Sequence, residues 1–152
     1  MGKDDYETPD SAWDIVLDTL DKDLVIWEPF WCSGRSGRYI ASKGFSVIHE
    51  DRDFFQWEPE KYDIIVTNPP YSNKAAVFDR LQKLGKPFCV LVPIITICNR
   101  YFSTKFKDCQ LLIPQKRVQY LKDGVATKKC NFDSVFVIVG WEMGNVPSVR
   151  AL

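Results

Sequence analysis

Apolar residues fall along this chain in two spacings. Six short stretches are continuously or nearly continuously apolar: Leu24 to Phe30 (Leu-Val-Ile-Trp running into Glu28-Pro29-Phe30), Phe45 to Ile48, Ile64 to Val66, Phe88 to Val92, Leu111 to Ile113, and Ser134 to Trp141. Runs of that length, above all the β-branched Ile64-Ile65-Val66, suit strands of a parallel sheet covered on both faces. Other stretches place their apolar residues on one helical face. From Thr8, a cap-like residue followed by Pro9 at a first helical position, Trp13, Val16, Leu17 and Leu20 share a side. Arg38 to Lys43 reads as a helix stopped by Gly44. Asn73 to Leu84 reads as another, with Ala76, Phe78, Leu81 and Leu84 apolar and Gly85 ending it. Strands alternating with helices predict an α/β fold with a mostly parallel sheet and helices on both faces. The strand-loop-strand finish, around a basic loop from Gln115 to Asn131, predicts an antiparallel pair at one edge.

Composition narrows the class. The chain has 152 residues, 45% of them hydrophobic and 26% charged. It is read as one domain over 1–152, which buries roughly 70% of its unfolded surface without staples. No apolar run is long enough for a bilayer, and the acidic N-terminus has no signal-peptide pattern. An intracellular protein is expected, cytoplasmic or at the nucleoid or nucleus, neither secreted nor membrane-bound. Five widely spaced cysteines and a single histidine give no metal-ligand spacing; reduced, mostly buried thiols are expected, with no metal. Net charge is zero, yet residues up to Asp63 hold 15 acids against 7 bases, and those from Ile64 onward 5 against 13. A basic second half suits a polyanionic partner.

Candidate chemistry sits at Asn68-Pro69-Pro70-Tyr71, directly after the Ile64 strand. Ligands belong at such strand ends. Both prolines lack an N–H, and Pro70 fixes an extended Pro69. An Asn side-chain oxygen beside a Pro carbonyl can accept both hydrogens of a planar –NH2 group, and Tyr71 offers a flat stacking face. Upstream, a strand, a loop with Gly34 and Gly37, and a helix form a first Rossmann-like unit. Glu50 and Asp51 close the second strand, about 20 residues on, where an acid binds ribose hydroxyls. His49, the lone histidine, is read as packed or surface-exposed, without a role.

The tetrapeptide resembles motif IV of the S-adenosylmethionine-dependent amino-methyltransferases. The whole chain resembles a minimal class I methyltransferase domain, with the motif order of the gamma group of DNA N6-adenine methyltransferases. Tyr6, Thr8 and Pro9 are similar to that family's Y-x-T-P motif, which implies contact with the methionine end of the cofactor. Glu28, Pro29 and Phe30 with Gly34 and Gly37 resemble motif I, although Trp31, Cys32 and Ser33 stand where the family has a tighter glycine pattern. By the same resemblance Glu50, or neighbouring Asp51, holds the ribose, and Asp53 with Phe54 holds the adenine. Arg117-Val118-Gln119-Tyr120 and Asn131-Phe132-Asp133-Ser134 resemble the later target-side motif, with Phe132 as a second ring against an extruded base. The family's target-recognition domain is missing. Sequence preference is then slight, read by the basic loop (Lys116, Arg117, Lys122, Lys128, Lys129), or supplied by a partner subunit.

The resemblance implies methyl transfer to adenine N6 in DNA, by direct in-line displacement. Adenine in RNA, glutamine in a protein, and a non-catalytic subunit that only binds the cofactor are the alternatives. A dinucleotide oxidoreductase would leave Asn68 to Tyr71 unexplained.

Overall fold

The computed structural model describes residues 6–106, 108–127, 133–141 and 148–150. In chain order it contains α1 (Asp10–Leu17), β1 (Val25–Trp27), α2 (Arg35–Ser42), β2 (Ser46–Ile48), β3 (Ile64–Thr67), α3 (Lys74–Leu84) and β4 (Phe88–Pro93). There follow α4 (Arg100–Lys105), β5 (Asp108–Leu112), β6 (Leu121–Lys122), β7 (Val125–Ala126), β8 (Ser134–Val139) and β9 (Ser148–Arg150). Seven strands form one sheet in the order β2-β1-β3-β4-β8-β5-β9, and β6-β7 is a separate hairpin.

From β2 to β4 neighbouring strands are parallel. β8 runs antiparallel to both β4 and β5, and β9 antiparallel to β5. The mostly parallel sheet with an antiparallel edge is therefore present, with one addition: β8 lies inside the sheet, between β4 and β5, and the edge belongs to β9. Burial along β8 accords with that inner place: of its residues S-V-F-V-I-V the first five are buried, as in a strand covered on both faces.

Strand β3 shows the two-layer arrangement. Ile64 and Val66 point into one apolar cluster with Trp13, Val16 and Leu17 of α1 and Ile40 of α2. Ile65 points the other way, to Val77, Phe78 and Leu81 of α3 and to Phe102 and Phe106 around α4. All three β3 residues are at 0% exposure, so each contributes about 1.5–3 kcal/mol of burial.

Boundaries shift where local chemistry intervenes. Helix α1 begins at Asp10, with Pro9 an extended cap at ψ 152°, because Thr8 uses its hydroxyl elsewhere. Helix α2 begins three residues earlier than its apolar pattern suggests, directly after Gly34 in the left-handed region. The basic stretch read as a loop contains the β6-β7 hairpin. Its Asp123-Gly124 turn has φ values of 52° and 77°, the paired positive φ that tight hairpins require. The thiols also differ from expectation: Cys89 and Cys109 are buried, whereas Cys32 and Cys98 are exposed, since the latter two lie in turns beyond the strand ends. Among the described residues no helix is long and apolar enough to cross a membrane.

Candidate active site

Strand order decides where a ligand can enter. The chain leaves β1 toward β2 on one side and returns to β3 on the other, so the sheet opens a crevice beyond the carboxyl ends of β1 and β3. A cavity of about 580 Å³ lies there, within the range of roughly 300–1,000 Å³ typical of small-molecule sites. Of the expected site residues, Tyr6, Thr8, Glu28, Pro29, Phe30, Asp51, Asp53, Phe54 and the whole of Asn68 to Tyr71 line it. Four segments distant in sequence thus meet at one cleft.

On its target side, Pro70 is extended, with φ −57° and ψ 132°, and leads Tyr71 into a 3-10 turn over Tyr71–Asn73. Asn68 donates its Nδ2 hydrogen to the Thr8 hydroxyl oxygen at 2.8 Å. Its Oδ1 is buried and receives no hydrogen bond among the described residues. A buried acceptor without a donor costs about 1–3 kcal/mol, a cost a ligand's N–H would remove. Tyr71 is half-buried, and its ring meets Tyr120 edge-on at 6.2 Å. Tyr120 is wholly buried and fixed in turn by Ser134, Oγ to hydroxyl 2.6 Å.

The cleft floor holds a buried acid, and the cations of its lining, Arg35 and Arg52, are bound to Asp10 and Glu50. Glu28 is 2% exposed; its Oε1 accepts from the Phe30 N–H at 3.0 Å and from the Thr67 hydroxyl across the β1-β3 junction. Burial pushes its carboxyl up to about 8, against the lowering effect of those two donors. Its main-chain carbonyl accepts from His49 Nδ1 at 2.8 Å, which places the imidazole proton on that nitrogen. His49 is packed, as expected. Its ring stacks on Trp31 at 4.9 Å, and a Cβ on Gly37 would meet it at 2.3 Å. Burial holds it below the ordinary histidine range.

Not every expected residue faces the cleft. Glu50 stays out of the lining and pairs with Arg52 at 2.7 Å on the surface, so of the two ribose acids Asp51 alone reaches the cavity. Phe54 is 3% exposed and packs on Trp27 and Phe30, while half-buried Phe55 beside it also lines the cleft. Asp53 holds that turn through Phe55 N–H to Oδ1, 2.8 Å. Gly34 lies outside the lining and serves the backbone, with φ 78° and Trp31 and Arg38 only 2.8 Å from any added Cβ. The motif-I-like loop closes by Gly34 N–H to Trp31 O at 2.7 Å, and Cys32 takes a positive φ of 49°; this is the turn that substitutes for a tighter glycine pattern. Pro9 caps α1.

Lys116 and Arg117 also lie beyond the cavity lining, and Arg117 is bound to Asp133 at 2.8 Å. The basic segment nevertheless reaches the site. Glu7 and Leu121 exchange two main-chain hydrogen bonds of 2.8 Å, and Lys122 sits 5.8 Å from the Tyr6 ring. Phe132, Lys128 and Lys129 lie outside the described residues. Sequence alone does not single out Thr67 or Phe55; a threonine closing the apolar run Ile-Ile-Val is the one signal that points to the first.

Comparison with solved structures gives the fold. The 23S rRNA methyltransferase ErmE superposes with a TM-score of 0.56 at 12% identity, over 97% of this chain and 71% of that one. A dimethyladenosine transferase from Plasmodium falciparum gives 0.53 at 11% identity, over 86% of this chain and 61% of that one. The fold is the Rossmann-like methyltransferase fold. At these identities the likeness is one of fold, and this chain spans about three fifths of the length of the Plasmodium enzyme. No protein-family model matches the sequence, and no curated protein matches it.

Proposed function

We propose that this chain is an S-adenosylmethionine-dependent methyltransferase acting on the exocyclic N6 amine of adenine in nucleic acid. The observation that carries the reading is Asn68 on the cleft wall at the end of β3, with a buried, unpartnered Oδ1 held in place through Thr8. The cleft chemistry fits the cofactor. Glu28 lacks a cationic partner among the described ion pairs, Asp51 stands at the rim for hydroxyls, and Phe30 and Phe55 line an apolar wall. When bound, the cofactor supplies an electrophilic sulfonium methyl.

The residues supply the rest. An aromatic amine is a poor nucleophile because its lone pair is delocalised into the ring. Asn68 Oδ1 and the Pro69 carbonyl accept its two hydrogens and favour the geometry in which that pair is localised. Such contacts strengthen as positive charge develops on nitrogen, which is what accelerates a step. Asn68 is no base, so the surplus proton leaves to water. Tyr71, braced by Tyr120, offers the ring against which an extruded base stacks.

The motif order favours DNA. The structures sharing the fold are named for dimethyladenosine and 23S rRNA, and they support RNA as the second reading. In either polymer Lys116 and Lys122 suit phosphates. Offering methyl-labelled S-adenosylmethionine with DNA, RNA and glutamine-containing peptide tests the reading. Label on adenine supports it, and label on glutamine or on no acceptor refutes it.

A further inference from the structure

Among the described residues Glu28 is the one carboxylic acid in the buried class, and it belongs to no described ion pair. Arg35 and Arg52 line the same cavity, and each is bound to a carboxylate other than Glu28. Beside the first turn of α2, Arg35 is bound to Asp10 of α1 at 3.0 Å. At the end of β2, neutral His49 serves Glu28's main chain rather than its carboxyl. In the following loop Asp51 and Asp53 are exposed, and Arg52 is paired with Glu50. From the N-terminal segment Glu7 lines the same cavity. From β3 the neighbours are neutral, Thr67 and Asn68. Both hydrogen bonds of the carboxyl fall on Oε1, which leaves Oε2 for a ligand.

A buried carboxylate without a counter-charge is strongly disfavoured, so the group stays protonated until a cation arrives. The geometry points to Glu28 as a proton-coupled charge sensor: a cationic ligand entering the cleft supplies the missing counter-charge, and Glu28 ionises and releases its proton as the ligand binds. The inference rests on the cofactor reading above and deepens it. Both cofactor forms carry an α-ammonium, and S-adenosylmethionine carries in addition a sulfonium charge that its product S-adenosylhomocysteine lacks, so the extra charge holds substrate cofactor more strongly than product, and the preference grows with pH. No bond is made or broken in this step beyond the acid's own O–H; one proton passes from Glu28 to solvent. Thr67, whose hydroxyl stabilises the ionised form, is a positioning residue for it.

Calorimetric titration of each cofactor form, at pH 6, 7 and 8 and in two buffers of different ionisation enthalpy, reads both affinity and protons exchanged. Wild type is expected to release close to one proton more than Glu28→Gln on binding S-adenosylmethionine at pH 7. Its affinity should tighten by up to ten-fold per pH unit relative to Glu28→Gln, an isosteric neutral variant suited to the same pocket. Thr67→Val should shift the pH midpoint upward, an effect that loss of packing would not produce. Equal proton exchange and equal pH dependence in wild type and Glu28→Gln would overturn the inference while leaving the cofactor reading intact. Absence of binding to wild type at every pH would instead remove the cofactor reading itself.

Discussion

Asn68→Ala separates a catalytic asparagine from a structural one, because the two roles predict opposite signs in stability. The side chain makes one described hydrogen bond, Nδ2 to Thr8 at 2.8 Å, and truncation loses about 1 kcal/mol with it. The same truncation removes a buried acceptor that has no partner among the described residues, relieving about 1–3 kcal/mol. The net change is therefore near zero or stabilising, with each kcal/mol worth about 2–4 °C of melting temperature in a domain of this size class. Methyl transfer should fall about 10²–10³-fold, the loss typical of deleting one preorganised hydrogen-bonding group from a reacting centre. Asn68→Asp keeps an acceptor, to which the Thr8 hydroxyl can turn and donate, and should retain more turnover than Asn68→Ala. Differential scanning fluorimetry and single-turnover transfer from labelled cofactor provide both readouts. Turnover of Asn68→Ala within a few-fold of wild type, or a collapse of its melting temperature in step with activity, would refute the reasoning.

Asp51→Ala is expected to weaken cofactor affinity about ten-fold or more, as removal of a charged hydrogen bond worth about 1.5–3 kcal/mol would, whereas Glu50→Ala leaves it unchanged; calorimetry of the two single variants checks this. Neutralising Lys116 and Lys122 together should reduce the slope of log binding constant against log salt by about one for each phosphate these lysines neutralise, without altering base choice. Tyr120→Phe removes the buried bond to Ser134 and should lower stability by about 1 kcal/mol, read by denaturant melts. The Glu28 carboxyl stands at about 8 when folded against 4.5 as the ordinary value. Between those pH values the folded state keeps a proton the unfolded chain has lost, so native stability falls as pH rises. Glu28→Gln escapes this, and its stability relative to wild type should climb from pH 5 to pH 8.

The sheet was legible because its strands are apolar on both faces, and the motifs because strand ends converge at the β1-β3 crevice. What stayed hidden depends on three-dimensional company. Whether β8 is inner or edge is decided by its pairing with β4, which no local pattern carries. Helix α4 is short, and Phe102 within it and Phe106 just past its end become a face only against Phe78 and Phe88. The β6-β7 hairpin did have a signal, Asp123-Gly124, masked by the lysines around it. Within the site, sequence brought Glu50 and Asp51 forward together; Arg52 separates them by drawing Glu50 out to the surface. Glu28 was visible as part of a motif, but its protonation follows from burial and from a hydrogen bond to Thr67, 39 residues away.

The central claim is methyl transfer to an adenine amine, and one measurement addresses it most directly. Wild-type protein is incubated with methyl-labelled S-adenosylmethionine and adenine-containing DNA and RNA oligonucleotides, paired and unpaired, and the nucleosides are resolved after enzymatic hydrolysis. The account predicts label in the N6-methyladenosine or N6-methyldeoxyadenosine peak, strongest for unpaired adenine and reduced about 10²–10³-fold with Asn68→Ala. Label confined to any other nucleoside, or none on either polymer while the cofactor still binds, would contradict it.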